Sequence, residues 1–131
     1  MNLEMYRDII LDYYRHPRNY RTLKSPQIIS HDVNTSCGDE VTMQVAVNDG
    51  RIADIRFSGK GCAISQAAAS MLTEFVMGKP LDEIAKLNKE SMLRLLPIEI
   101  SPMRLKCALL GFKVLKIGVF KHLGQEEANE N

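Results

Sequence analysis

The segment VTMQVAVN, residues 41–48, constrains the fold more than any other part of this chain. Its apolar residues alternate strictly with polar or small ones: Val41, Met43, Val45 and Val47. That alternation is typical of a strand with one buried face. Asn48-Asp49-Gly50 follows and favours a tight hairpin turn. The next segment, IADIRFS, then predicts a second strand, with three residues facing the core: Ala53, Ile55 and Phe57.

The residues before this hairpin predict a helix and a further strand. Residues 2–15 have apolar side chains at spacings of three and four, which indicates an amphipathic helix. We expect its buried face to carry five residues: Leu3, Tyr6, Ile10, Tyr13 and Tyr14. His16-Pro17 ends it, because the residue before a proline avoids the helical region. Residues 27–33, QIISHDV, predict the first strand of an antiparallel meander.

The residues after the hairpin predict helices. Gly59-Lys60-Gly61 is expected to break the strand, and Cys62 opens a long helical pattern that ends near Gly78. Pro80 fits the first turn of a short helix. Ser101-Pro102 is expected to start the last helix, with the serine as its cap. One face of that helix should be buried: Met103, Cys107, Leu110, Val114 and Ile117.

This order predicts an α+β fold, a small antiparallel sheet covered by helices. A chain of 131 residues is the usual size of one domain. We expect that domain to span residues 1–124, followed by a polar, disordered tail over 125–131.

The charge and hydropathy of the chain exclude two classes of partner. With 17 basic and 16 acidic residues, the chain lacks the excess of positive charge that is typical of proteins that bind nucleic acid. No apolar run approaches the length of a membrane span. The N-terminal MNLEMYRDII lacks the basic start and apolar block of a signal peptide. The expected location is the cytoplasm.

Three cysteines carry the chemistry, and their number argues against a disulfide framework in a cytoplasmic protein. Cys37 lies in the polar turn NTSCGDE, two residues before Asp39. Cys62 lies at a helix start, where the N–H groups and the positive helix end favour a thiolate. Cys107 lies early in the last helix. Three thiolates and one carboxylate suit zinc or iron, and a thiolate is also a sulfur nucleophile.

Each of these residues also has an ordinary structural interpretation. Cys107 fits a buried helix face, as many free cysteines do. Cys62 fits as a small residue at a helix start, and Asp39 as a turn residue or cap. Sequence spacing alone does not show that the three cysteines converge. Cys37 has no such structural interpretation, because it does not belong to any helix or strand pattern of buried residues.

Two lysines flank the cysteines. Lys60 precedes Cys62 by two positions, and Lys106 directly precedes Cys107. They are expected to steer thiolates or a negatively charged cluster. Ordinary solvated lysines are the alternative.

Three segments around these cysteines resemble the U-type iron–sulfur assembly proteins, the IscU/SufU family: NTSCGDEV, SGKGCAISQAAASML and RLKCALLGFKVL. The N-terminal ILDYYRHPRN resembles the same family. The resemblance implies a three-stranded antiparallel sheet with helices packed on one side and a long C-terminal helix. It also implies a ligand set: Cys37, Asp39, Cys62 and Cys107. In this family a cysteine desulfurase passes persulfide sulfur to a cysteine of the U-type protein, which implies Cys37 as the acceptor here.

Two functions follow from the resemblance. IscU-like members are scaffolds that assemble a [2Fe–2S] cluster and pass it to recipient apoproteins. SufU-like members hold zinc and transfer sulfur, and they carry an inserted segment between the second and third cysteines. Lys106 resembles the SufU type, but the 45 positions from Cys62 to Cys107 match the scaffold length.

We interpret the chain as a scaffold rather than an enzyme, with a transient cluster or iron as its cargo. The alternative is a zinc-dependent sulfurtransferase. A third interpretation is a degenerate regulatory member, which the presence of all three cysteines argues against. A homodimer is left open.

Overall fold

The computed structural model describes residues 3–127. Its helices and strands follow the predicted order: α1 Leu3–Arg15, β1 Ile28–Asn34, β2 Asp39–Asn48, β3 Arg51–Lys60, α2 Ala63–Val76, α3 Leu81–Lys86, α4 Lys89–Leu93, a 3-10 turn Pro102–Arg104 and α5 Leu105–Glu127. Within these residues, no helix combines the length and the apolar character that crossing a bilayer requires.

The three strands form one antiparallel sheet in the order β1-β2-β3. Val41, Met43 and Val45 are fully buried, as their alternation predicts. Asp49 and Gly50 join β2 to β3 with φ angles of 54° and 70°. Positive φ at both central residues is the geometry that matches the twist of a hairpin. The meander predicted from the sequence is therefore confirmed.

A β-bulge changes which face of β3 is buried. Ala46 pairs with Asp54 while Val47 pairs with Ile52, so Ala53 has no partner in the register. The extra residue reverses the alternation on its N-terminal side. Ile52 is buried and Ala53 is exposed. The prediction that Ala53 faces the core was wrong for this reason, whereas Ile55 and Phe57 are fully buried as predicted.

The strand also runs further than the sequence predicted. Gly59 does not break β3 but pairs with Val41, and the strand continues to Lys60. A Cβ atom at Gly59 would lie 2.0 Å from the carbonyl oxygen of Glu40. Glycine is needed there because the backbone of β2 approaches closely, not because the strand ends.

The helices cover one face of the sheet. Ten of the 14 residues of α2 are buried, and α2 packs against both α1 and α5. The helix α5 also lies against β1 and β2, so that sheet and helices share one apolar core. On the opposite face of the sheet, Ile29 of β1 remains 66% exposed.

Two predicted helix faces are only partly buried. In α1, Leu3 and Tyr14 are exposed, and only Ile10 of the predicted face is fully buried. At the other end of the chain, Met103 is 87% exposed because it lies in the 3-10 turn that precedes α5, and Ile117 is 37% exposed.

The first turn and the end of the last helix also differ from the sequence pattern. The Ser101 side chain makes no capping hydrogen bond, although the backbone N–H of Arg104 donates to the Ser101 carbonyl. The helix continues through Glu127, beyond the expected boundary at residue 124. The rest of the predicted tail, residues 128–131, lies outside the described residues.

Candidate metal centre

The predicted ligands lie at one end of the sheet because three strand ends meet there. Cys37 lies in the turn between β1 and β2, and Asp39 is the first residue of β2. Cys62 follows the end of β3 and is the N-cap of α2. Cys107 lies in the first turn of α5, which packs against β1 and β2. The four predicted ligands are therefore distant in sequence but lie at the same end of the sheet.

Three of the four predicted ligands form a tight group. The Sγ atoms of Cys37 and Cys107 and a carboxylate oxygen of Asp39 all lie within 4.8 Å of one another. Cys37 is exposed, whereas Asp39 and Cys107 are buried. The group therefore has one thiol that is open to solvent and to partners, and two donors on its protein side.

Asp39 joins this group to Cys62 and leaves one oxygen free. Its Oδ1 accepts a hydrogen bond of 2.9 Å from the backbone N–H of Cys62. Its Oδ2 is buried without a hydrogen-bond partner. A buried carboxylate oxygen without a donor is costly, and a metal ion would satisfy it. This orphaned oxygen shows that the donor set fits a cation.

Cys62 lies beside the tight group rather than within it. Its Sγ accepts a weak hydrogen bond of 3.4 Å from the backbone N–H of Ser65, which caps the helix. The position of Cys62 at the start of a helix is the one that the sequence predicted. The backbone link to Asp39 keeps Cys62 next to the other three residues.

The Cys107 thiol holds its proton strongly in the absence of a cation. Burial is the largest cause that raises the pKa of Cys107, followed by interactions with the side chains of Cys37 and Asp39 and by the charge of Cys62. These partners of Cys107 are the other three predicted ligands. The Nδ2 of Asn34 also approaches the Cys107 Sγ, at 3.9 Å.

Arg104 is a site residue that sequence reasoning missed. The charge of Cys62 is the largest cause that raises the pKa of the Arg104 guanidinium, followed by a hydrogen bond to Cys62 and by the same interactions with Cys107. Arg104 ends the 3-10 turn three residues before Cys107. Cys107 lies in the first turn of α5, and residues three apart are neighbours on a helix surface, so this spacing was the available signal.

The two lysines singled out from the sequence occupy less direct positions. Lys60 and Lys106 are both exposed, and neither forms an ion pair with a carboxylate among residues 3–127. Lys106 lines a groove beside α5. A role for either lysine in steering thiolates stays a prediction.

Gly61 holds the backbone close to Asp39. Its φ is +146°, a value that residues with a side chain rarely adopt, and a Cβ atom there would lie 2.3 Å from Asp39 Oδ1. The glycine before Cys62 is therefore required for the contact between Asp39 and the Cys62 backbone. The second glycine of the sequence segment GKGC, Gly61, thus has a steric explanation.

Comparison with known proteins places the chain in a family. The profile of the family described as NifU-like N terminal domain matches residues 5–129. The chain belongs to this family. Its relatives include proteins named IscU and SufU, which confirms the resemblance to the U-type assembly proteins.

Two relatives and one solved structure show how far the similarity extends. The iron–sulfur cluster assembly scaffold protein IscU of Thermotoga maritima is 34% identical, over 86% of this chain and 90% of its own length. The zinc-dependent sulfurtransferase SufU of Bacillus subtilis is 31% identical, over 92% of each chain. A crystal structure from Fervidobacterium islandicum, described as a scaffold protein for the SUF system, is 28% identical. It has a TM-score of 0.75 over 90% of this chain and 99% of its own.

Proposed function

We propose that this chain is an iron–sulfur cluster assembly scaffold. It accepts persulfide sulfur on Cys37 from a cysteine desulfurase and assembles a [2Fe–2S] cluster for recipient apoproteins. The proposed ligands are Cys37, Asp39, Cys62 and Cys107. Its proposed location is the cytoplasm.

The observation that carries this proposal is the grouping of Cys37, Asp39 and Cys107, together with the buried Asp39 oxygen that has no hydrogen-bond partner. Thiolates are the donors that iron–sulfur clusters use. A carboxylate is a harder donor than a thiolate, so Asp39 binds iron less firmly than the three sulfurs would. A site with one weaker ligand suits a cluster that must leave.

Sulfur acceptance needs the one thiol that faces solvent. The Cys37 thiolate attacks the outer sulfur of the donor's persulfide, the donor's S–S bond breaks, and the donor cysteine leaves as a thiolate. The new S–S bond is on Cys37, and this exchange neither gains nor loses electrons. Among the three cysteines only Cys37 is exposed, so it is the one that a partner's persulfide reaches directly.

Cluster assembly requires electrons that the chain does not hold. Two sulfane sulfurs become sulfide when they enter the cluster. Oxidation of two ferrous ions to the ferric state supplies half of the electrons that this reduction requires. A thiol or a one-electron donor protein must supply the other half. The role of the chain is to hold the ligands together and to leave Cys37 accessible.

The second candidate is a zinc-dependent sulfurtransferase. The similarity to the Bacillus SufU favours it, and so does Lys106, because the SufU type carries a lysine directly before its third cysteine. Zinc would be held by the same four residues, and it would keep their thiols deprotonated at neutral pH. In that case Cys37 would leave its ligand position to accept sulfur.

The length of the chain between its cysteines favours the scaffold. Cys62 and Cys107 are separated by 45 positions. The alignment with the Bacillus SufU spans 137 positions, more than the 131 residues of this chain, so SufU contains residues that this chain lacks. The scaffold is therefore the primary proposal.

Anaerobic reconstitution tests the proposal and separates the two candidates. The chain is mixed with ferrous iron, a cysteine desulfurase and cysteine, then desalted and analysed for iron, sulfide and visible absorption. A scaffold gives a brown protein with bound iron and sulfide, lost in Cys37→Ser, Cys62→Ser and Cys107→Ser. A colourless protein that retains one zinc and no sulfide would refute the scaffold.

Mass spectrometry tests the role of Cys37 separately. After incubation with the desulfurase and cysteine, the wild-type chain should gain sulfur on Cys37, and the Cys37→Ala variant should gain none. Because Cys37 is exposed, the variant should keep the fold and the melting temperature of the metal-free protein. Sulfur acceptance at the wild-type level in Cys37→Ala would refute the assigned acceptor.

A further inference from the structure

A groove of about 1050 Å³ runs beside the candidate metal centre. Its floor is the outer face of α5, one wall is α4, and the far end is the turn that carries Cys37. Asn34, Thr35 and Ser36 line that end. The volume is at the upper limit for small-molecule pockets, and the groove is open along one side. That shape fits a segment of another protein better than a small molecule.

Several apolar side chains that line the groove are exposed to solvent instead of packing in the core. Val33, Ile117 and Phe120 line it and are 43%, 37% and 52% exposed. Leu93 and Leu109 add half-buried apolar surface. A contiguous apolar surface with a polar rim is typical of a protein interaction site.

The rim of the groove is positively charged. Four lysines line it: Lys89, Lys106, Lys113 and Lys116. Glu90 is the acidic residue on the lining, and Asp32 pairs with Lys113 at 2.8 Å. Lys116 donates a hydrogen bond to the Leu87 carbonyl and lies over the Phe112 and Phe120 rings. Within the described part of the chain, Lys89 and Lys106 have no carboxylate partner.

Resting on the proposed function, we propose that this groove docks an acidic amphipathic helix of the sulfur-donating protein. Apolar side chains of that helix would bury Ile117 and Phe120, which is the ordinary way in which a helix binds a groove. Its acidic residues would face the lysine rim. The groove ends at the turn of Cys37, so a donor held there reaches the accessible thiol.

The charge of the groove argues against a second copy of this chain as the occupant. In a symmetric pair the same lysine rims would face each other, and like charges across an interface are costly. A donor with an acidic segment has the complementary charge.

Groove variants test this docking surface. The first pair is Lys89→Glu with Lys113→Gln, and the second is Ile117→Ser with Phe120→Ser. The matched controls lie away from the groove: Arg7→Glu with Lys24→Gln, which has the same charge change, and Ile29→Ser. Sulfur on Cys37 is followed by mass spectrometry at low protein concentration. The donor is either a cysteine desulfurase that loads the wild-type chain or glutathione persulfide.

We expect both groove pairs to reduce kcat/KM with the desulfurase by about tenfold or more at low salt, with the controls unchanged. Added salt should narrow the gap between wild type and the lysine pair, because it screens the attraction. Transfer from glutathione persulfide should stay at the wild-type rate in all variants, since the small donor needs no groove.

Three results would overturn the docking surface. One is wild-type transfer from the desulfurase in both groove pairs. Another is an equal loss with glutathione persulfide, which would place the damage at Cys37 itself. The third is a defect confined to cluster transfer to a recipient apoprotein, which would assign the groove to that partner. A wild-type chain that takes sulfur from neither donor would refute the proposed function, and the docking surface with it.

Discussion

At the scale of single residues, Asp39 links the candidate ligands. One carboxylate oxygen fixes the backbone of Cys62, and the other is buried with no donor. The first contact sets the position of the helix that carries Cys62. The second oxygen is an acceptor without a hydrogen-bond partner, at the position where a cation would bind. Asp39 therefore has a structural role, in addition to the ligand role that we propose for it.

Replacement of Gly61 by alanine should damage this arrangement. A Cβ atom would lie 2.3 Å from Asp39 Oδ1 and would also strain the backbone. Gly78→Ala is the matched control, because Gly78 also has a positive φ, of 83°, but open space around it. The control should cost about 1 kcal/mol of unfolding free energy. Gly61→Ala should cost more and should also weaken metal binding. Equal losses of stability with unchanged metal affinity would contradict the steric account.

Metal binding should release protons. Because burial and neighbouring groups raise the pKa of Cys107, its thiol is protonated at neutral pH in the metal-free protein. A metal ligand must be a thiolate, so the proton leaves when the metal binds. The apparent affinity for zinc should therefore rise from pH 6.5 to pH 8.5. Calorimetry in buffers of different ionisation enthalpy measures the released protons. A pH-independent affinity would contradict a thiolate role for Cys107.

At the scale of helices and strands, the β-bulge sets which residues of β3 support the core. Ile52→Ala should reduce the unfolding free energy by about 2–5 kcal/mol, since a buried side chain is truncated. Ala53→Ser should change it by less than about 0.5 kcal/mol, because Ala53 is exposed. Urea denaturation measures both. A large loss in Ala53→Ser would support the unbulged register instead.

The sequence predicted the strands and their turn because period-two alternation and Asn48-Asp49-Gly50 are local properties. It could not predict the bulge at Ala53, because Ile52 and Ala53 are both compatible with a buried face until the pairing partners are known. The 3-10 turn before α5 was missed for a similar reason. Ser101-Pro102 starts a helical turn of either kind, and the exposure of Met103 depends on which one forms.

At the scale of the whole molecule, the candidate centre joins parts of the chain that are far apart in sequence. The β1–β2 turn, the start of β2, the start of α2 and the start of α5 each contribute one proposed ligand. These residues could be predicted as ligands from the sequence through its resemblance to a family. It could not show their convergence, because that depends on how α5 packs across the sheet.

Removal of metal should therefore destabilise the whole domain. A cation that binds the folded chain at 100 times its Kd adds about 2.7 kcal/mol of stability. For a domain of this size that is a change in Tm of about 10 °C. Thermal unfolding with zinc and after chelation measures the difference, and Cys37→Ser with Cys107→Ser is the control that should lose it. An unchanged Tm on chelation of the wild-type chain would mean that the four residues do not form one site.

The measurement that tests the central claim most directly is a cobalt titration of the metal-free chain. Cobalt(II) reports its ligands by absorption, since each thiolate adds charge-transfer intensity and a tetrahedral site gives strong visible bands. We predict one cobalt per chain with the intensity of three thiolates, reduced by a third in each of Cys37→Ser, Cys62→Ser and Cys107→Ser. Full intensity in Cys62→Ser, or the intensity of two thiolates in the wild-type chain, would contradict the four-residue ligand set.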